Sequence, residues 1–178
     1  MTPQDVTGFW LQAGPKRWFA RDAAFDAEIR RRFGAAVEDA REGRLDSWAD
    51  SDDGALALVI LLDQFSRNIH RGSPLAFAGD DKARAVAEAV IARGGLDGLP
   101  TEKAQWFILP FEHHEDMGSQ ERAIRLFEAL GDAELVKWAV VHRDIIAMFG
   151  RFPHRNAALG RETTAEEAAF LAEGGFAG

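Results

Sequence analysis

Apolar residues recur at three- and four-residue steps along most of the chain, which is the spacing of one face of an α-helix. The clearest stripe lies between Ala23 and Arg41 and consists of Phe25, Ile29, Phe33, Ala36 and Val37. No stretch alternates apolar and polar residues as a half-buried strand would. The pattern therefore predicts an all-α fold of about eight helices, paired antiparallel through short loops.

Capping residues predict where these helices begin. Side chains suited to an N-cap occur at Thr2, Asp22, Ser119, Asp132 and Thr164. The 99–102 segment opens a further helix, which we expect to reach about Met117.

A strongly apolar run, Ala55–Leu62, lies in a helix predicted from about Asp52 to Ile69. A helix that is apolar on every side is buried. A run containing Val and Ile is also compatible with a buried strand. The helix is favoured because Ala is frequent and the pattern continues in helical phase.

Length and charge narrow the possible functions. The chain has 178 residues, 47% of them hydrophobic, which predicts a single helical domain over residues 1–178. Its net charge of −8 argues against nucleic acid or an anionic membrane as a partner. It has no cysteine, no signal-peptide pattern at its start and no apolar run long enough to span a bilayer. We therefore expect a cytoplasmic protein.

All five histidines lie in three segments that also hold arginines, carboxylates or amides. The segments are 61–71, 110–116 and 142–156. Each lies at or near the end of a strongly apolar stretch, and buried polar groups must be paired. The three segments are therefore expected either to satisfy one another or to line a site.

The first segment places its polar residues on one helical arc. Asp63, Arg67 and His70 lie at i, i+4 and i+7, and the same spacing relates Gln64, Asn68 and Arg71. Asp63 and Arg67 are predicted to form an ion pair. The arc is either an ordinary solvated face or, given the apolar helix before it, one wall of a site.

In the second segment, Glu112 and His113 would each lie about one turn from Asp116 on a continuous helix. This spacing matches neither His-Glu-x-x-His nor the paired Glu-x-x-His of di-iron bundles, so no metal is predicted. Only one of His113 and His114 can point inward, since helical neighbours are about 100° apart.

The third segment combines a histidine expected in the core, His142, with an arginine-rich loop. The loop carries Arg151, His154, Arg155 and Asn156 just after a helix end. Arginine forks suit carboxylate and phosphate groups. The loop is equally compatible with capping the helix that ends near Phe149 and neutralising Asp63, Glu115 or Asp116.

Several blocks together resemble one bacterial family, domain of unknown function 924. They are 61–68 (LLDQFSRN), 111–116 (FEHHED), 149–156 (FGRFPHRN) and 159–162 (LGRE), with 9–10, 18–19 and 25–26 near the start. The resemblance covers nearly the whole chain and implies an all-α array similar to tetratricopeptide repeats, without an established activity. One departure is His114, where a small polar residue is expected, which makes His114 a poorer site candidate than His113.

Two classes of function remain. In the favoured one, a small anionic molecule binds where the segments meet. Its predicted ligands are Asp63, Gln64, Arg67, Asn68, Arg151, Arg155 and Asn156, and its predicted acid/base residues are His113, Glu115, Asp116 and His154. The alternative is a non-enzymatic helical scaffold that binds a peptide or protein, with the polar segments as an internal network. No glycine-rich phosphate loop or nucleophile elbow is present, and no cofactor is predicted.

Overall fold

The computed structural model describes residues 1–176, and all the regular structure in this range is helical. It holds ten helices: α1 Pro3–Ala13, α2 Pro15–Trp18, α3 Ala23–Arg41, α4 (described below), α5 Asp80–Ala92, α6 Thr101–Glu112, α7 Met117–Leu130, α8 Ala133–Phe149, α9 Asn156–Leu159 and α10 Ala165–Ala172. Short 3₁₀ turns lie at Asp46–Asp50, Pro74–Ala76 and Pro153–Arg155. Within these residues every helix is too short or too polar to cross a membrane. The all-α prediction is confirmed.

Helix starts follow the predicted caps with one exception. Thr2 and Thr164 each form a capping box, and Asp22 and Asp132 each accept two backbone N–H bonds. The cap predicted at Ser119 is wrong, because Asp116 caps α7 three residues earlier. Local side-chain bonding to the first turn thus explains where these helices begin.

Helix α4 spans the predicted range but changes type in its middle. It runs as an α-helix over Asp52–Val59, a π-helix over Ile60–Phe65 and an α-helix over Ser66–Ile69. Ser66 donates both its N–H and its hydroxyl to the carbonyl of Leu61, five residues earlier. This wider turn holds an additional residue. The side chains after it are therefore rotated about the helix axis relative to the regular α-helix on which the polar arc was predicted.

Glycine is required where α5 begins against this π-helical turn. A Cβ atom at Gly79 would lie 2.6 Å from the carbonyl oxygen of Leu62. The close approach places Asp80, the first residue of α5, within reach of Arg67 on α4. Because Gly79 has no side chain, the start of α5 can approach α4 closely enough for Asp80 to pair with Arg67.

The chain divides into two compact units. Unit 1 comprises Met1–Arg71 and Leu75–Pro110, and unit 2 comprises Gly72–Pro74 and the chain from Phe111 onward. The single domain over residues 1–178 stays a prediction.

Each unit has its own core. In unit 1, Trp10 packs edge-on against Phe65 and Trp106, with ring centroids 5.5 and 5.4 Å apart. In unit 2, α7 and α8 pack along one another, joined by two residues. A second cluster forms around Ile145, Ile146 and Phe152. Burial of these large side chains is the main stabilising term in each unit.

Candidate functional site

In unit 1 the predicted Asp63–Arg67 ion pair is present and almost enclosed. The guanidinium lies 2.8 Å from the Asp63 carboxylate and donates two further bonds, of 2.8 and 2.9 Å, to the two oxygens of Asp80. Asp63 is fully buried and also accepts from Gln64. Burial alone would lower the pKa of Arg67, but Asp63 and Asp80 outweigh it and raise that pKa. Arg67 is therefore a cation already matched by two carboxylates.

The end of α4 forms a polar pocket with α3. Asn68 and Arg71 donate to Asp26 over 2.7 Å each, and Arg30 donates to the carbonyl of Ile69. These side chains line a cavity of about 290 Å³. Asn68 and Gln64 are both only 5% exposed, which rules out an ordinary solvated face for them.

In unit 2 the expected helix to Met117 is wrong, because α6 ends at Glu112 and residues 113–116 form a turn. Asp116 accepts from the backbone of Gly118 and Ser119 at the start of α7, and its carboxylate lies 2.7 Å from Nδ1 of His114. A hydrogen bond from the Ser119 side chain, with that from His114, lowers the pKa of Asp116 to about 2. Asp116 therefore serves as an ionised helix cap.

His113 and His114 lie in this turn rather than on the helix for which the prediction was made, and both are half-buried. That only one of them points inward stays a prediction. The ring of His113 lies 6.4 Å from that of His142. His142 is buried, and its Nδ1 lies 2.9 Å from the carbonyl oxygen of Trp138 and 3.1 Å from the carboxylate of Glu112. Both neighbours are acceptors, so Nδ1 carries the proton in this arrangement.

Glu115 ties the turn to the arginine-rich loop. It accepts from the backbone N–H of Phe152 at 2.8 Å and from Arg161 at 2.7 and 3.0 Å. Burial raises the pKa of Glu115, but the bonds from Arg161 and Phe152 and the charge of Arg155 outweigh burial and lower it. Glu115 is therefore an ionised structural acceptor at neutral pH.

Arg151 is matched by a carboxylate that the sequence did not indicate. It donates to both oxygens of Glu167, at 2.6 and 2.9 Å, rather than to Asp63, Glu115 or Asp116. Glu167 also accepts from Asn156 and from the backbone N–H of Thr164. The hydrogen bond from Arg151, joined by that from Thr164, lowers the pKa of Glu167 to about 2.

The remaining loop residues pack against aromatic rings. The Arg155 guanidinium lies 4.5 Å from the ring centroid of Phe152, and Arg155 is only 6% exposed. The ring of His154 lies 5.6 Å from that of Phe152 and 5.3 Å from that of Phe176. Stacking of this kind is a normal way to hold an arginine away from water.

The predicted site residues thus fall into two groups. Asp63, Gln64, Arg67 and Asn68 belong to unit 1, and the others belong to unit 2. Within unit 2, Glu115 contacts the loop directly, and Asn156 joins the Arg151–Glu167 pair. Convergence of all three segments at one place stays a prediction. Through residues 1–176 no group of three or more His, Asp or Glu side chains has the geometry of a metal site.

A larger groove lies between α8 and α10 of unit 2. Its volume is about 910 Å³, and Met148, Phe149 and Phe170 supply its apolar lining. Met148 is 67% exposed, more than the other large apolar side chains of the described chain. An exposed methionine beside aromatic rings is typical of a surface that binds partners of variable shape.

Comparison with known proteins places this geometry in a family. The model of a bacterial protein family of unknown function, DUF924, matches residues 6–175. The chain belongs to the DUF924 family. A solved structure, that of the protein of unknown function ATU0120 from Agrobacterium tumefaciens, is similar to the chain with 44% identity. The match covers 97% of both chains and has a TM-score of 0.92. No curated protein matches the chain.

Arg161 and Glu167 were not predicted as members of the polar clusters of this DUF924 chain, and Glu112 was predicted there without its partner. Arg161 pairs with Glu115, 46 residues away, and its only sequence signal was its place in the 159–162 family block. Glu167 was recognised only as half of a capping box. Glu112 was noticed only for its spacing to Asp116, although its partner His142 lies 30 residues further on the next helix but one.

Acid is expected to destabilise the DUF924 chain over the range between about pH 4.5 and 2. The pKa of Glu167 is about 2 in the folded chain against an ordinary value of 4.5, so the unfolded chain binds more protons in this range. Its contribution is complete above pH 4.5 and is lost as the pH falls through about 2. Urea unfolding between pH 5.5 and 2 measures this. Glu167→Gln should give a flatter profile, whereas the exposed neighbour Glu166→Gln should follow the wild type. Parallel profiles for all three would contradict the expectation.

Proposed function

We propose that the chain is a non-enzymatic helical scaffold that binds a peptide or protein, and that its polar segments are internal networks. One observation carries the proposal: Arg67 and Arg151, predicted as anion ligands, each donate two hydrogen bonds to a carboxylate of their own unit. An incoming anion would have to displace a charge already held at 2.6–2.9 Å.

The helix arrangement supports the same proposal. A two-residue connection between packed helices, as between α7 and α8, is characteristic of an antiparallel helical hairpin. We propose that such hairpins continue as a tetratricopeptide-like array. Arrays of this type present extended grooves to other polypeptides, and we propose that the groove between α8 and α10 serves as such a surface. A cytoplasmic location remains part of the proposal.

A thermal-shift screen tests whether the polar segments hold a ligand. Phosphate, sulfate, carboxylates and phosphorylated metabolites are expected to leave the melting temperature of the wild type unchanged. A bound anion at a hundredfold excess over its Kd would stabilise the fold by about 2.7 kcal/mol, or roughly 5–10 °C.

Arg155→Ala supplies the matching variant for this screen. In an internal network its loss removes a buried cation near Glu115 and lowers the melting temperature. In an anion site the variant would keep or raise its melting temperature and lose the ligand shift. A ligand shift that Arg155→Ala abolishes without loss of stability would reject the scaffold.

A second candidate function is favoured by the pocket in unit 1. Arg30, Asn68 and Arg71 bring two cations and an amide to a cavity of about 290 Å³, a size suited to a small anion. Asp26 already offsets one of the charges, which ranks this candidate second. The same screen with Arg71→Ala decides this candidate. The acid/base roles of His113, Glu115, Asp116 and His154, which lie in unit 2, are not part of it and stay a separate proposal.

A further inference from the structure

The groove between α8 and α10 has an apolar lining and an acidic rim. Met148, Phe149 and Phe170 line it, and the rings of Phe149 and Phe170 pack 5.2 Å apart as its floor. Glu166 and Glu173 stand at its edge, and both are exposed. The combination resembles an interface in which an apolar centre is surrounded by charge.

The rim has a net negative charge. Arg151 also lines the groove, but its charge is matched by Glu167 through two hydrogen bonds. Over the described residues no cationic side chain lies within ion-pair distance of Glu166 or Glu173. The two glutamates therefore leave about two negative charges beside an apolar surface.

Glu173 is also placed unfavourably for its own helix. It is the C-cap residue of α10, where the carbonyl end of the helix carries partial negative charge, and the last turn has no basic residue. An acid at this end destabilises a helix, whereas a cation stabilises it. A partner that brings a positive charge to Glu173 would relieve this repulsion on binding.

We infer that the groove binds a basic amphipathic helix of a partner protein, an inference that rests on the proposed scaffold function. Apolar side chains at i, i+3 or i+4 and i+7 would fill the groove, and flanking Lys or Arg would face Glu166 and Glu173. Added β-strands are not accommodated here, because the described chain offers no sheet edge. Anionic lipid is disfavoured by the rim charge, and a second copy of a chain with net charge −8 is disfavoured by repulsion.

The length of α10 sets the size of the partner helix. Its eight residues span about 12 Å, so a partner helix of two to three turns covers the groove. A peptide of about 18 residues is long enough to form such a helix when bound.

Three synthetic peptides of about 18 residues test the inference by fluorescence anisotropy. The first is a Leu/Lys amphipathic helix, the second has the same pattern with Glu for Lys, and the third has the composition of the first in scrambled order. The first is expected to bind at least about tenfold more tightly than the others. Its affinity should fall as salt is added.

Paired variants show whether binding occurs in the groove. Met148→Glu, at a largely exposed position, should weaken the Leu/Lys peptide by about tenfold or more, a usual effect of losing a central contact. Glu166→Lys with Glu173→Lys should weaken that peptide similarly and strengthen the Glu peptide. The matched controls are Met117→Glu for the apolar change and Glu128→Lys for the charge change. Both lie outside the groove and should leave affinity unchanged.

The possible negative results distinguish a failure of the groove inference from a failure of the proposed scaffold function. Equal binding to the scrambled peptide, or to the Met148→Glu variant, overturns the groove as the binding site. If the protein prefers the Glu peptide, and Met148→Glu abolishes that binding, the partner is not basic. The scaffold function is still supported in that case. If no peptide binds, the inference fails, and the anion screen then decides the scaffold independently.

Discussion

Replacing Arg67 with methionine is expected to lower the free energy of unfolding by about 3–5 kcal/mol, the usual cost of removing one member of a buried ion pair. Asp63 is fully buried and would lose a cation held at 2.8 Å, and Asp80 would lose two hydrogen bonds. The melting temperature should fall by roughly 6–20 °C in a protein of this length. Urea unfolding followed by tryptophan fluorescence measures the effect.

A double variant makes this expectation specific to the pair. Asp63→Asn with Arg67→Met removes the buried negative charge along with the cation, so it should be more stable than Arg67→Met alone. Arg125→Met is the surface control, because Arg125 is 65% exposed and lies 3.9 Å from Glu121. It should cost less than about 1 kcal/mol. Equal losses for Arg67→Met and Arg125→Met would show that the enclosed pair contributes little.

Glu115→Ala is expected to cost about 1.5–3 kcal/mol, the range for hydrogen bonds to a charged group. The substitution leaves the N–H of Phe152, whose residue is fully buried, without its acceptor at 2.8 Å, and it separates Arg161 from its carboxylate. The melting temperature should fall by roughly 3–12 °C.

Glu115→Gln distinguishes the loss of the charge from the loss of the hydrogen-bond acceptor. Glutamine keeps an oxygen that can accept from Phe152 but lacks the charge that pairs with Arg161, so the loss should be intermediate. Glu162→Ala, at an exposed neighbouring carboxylate, should be nearly neutral. If Glu115→Ala were as mild as Glu162→Ala, the turn and the loop would not depend on this contact.

Local features of the fold could be predicted from sequence, and features that depend on distant contacts could not. The caps at Thr2, Asp22 and Asp132 were predicted because each bonds only to the turn that follows it. The cap at Asp116 was missed because Ser119 offers the same local chemistry three residues later. The π-helical turn was missed because the apolar pattern of α4 is compatible with both helix types, and the choice involves contacts such as that with Gly79.

The same reasoning explains the outcome for the candidate site. The Asp63–Arg67 pair lies within one helix and was confirmed. Partners such as Glu167 for Arg151 and Arg161 for Glu115 are 16 and 46 residues away, and residue type alone did not select them among many carboxylates and arginines. Residue composition thus indicated which segments are polar, whereas charge pairing depended on the fold.

The groove between α8 and α10 depends on the contacts of one carboxylate, that of Glu167. An eight-residue helix such as α10 is too short to persist by itself in water. Its first turn and the Arg151 loop share the single carboxylate of Glu167. Loss of that carboxylate's contacts would let helix and loop open together as one cooperative segment, below the free energy of global unfolding. Because α10 forms one wall of the groove, the groove would be lost when this segment opens. Binding of a partner would therefore stabilise the ordered form of the C-terminal segment, and conditions that open the segment would weaken binding.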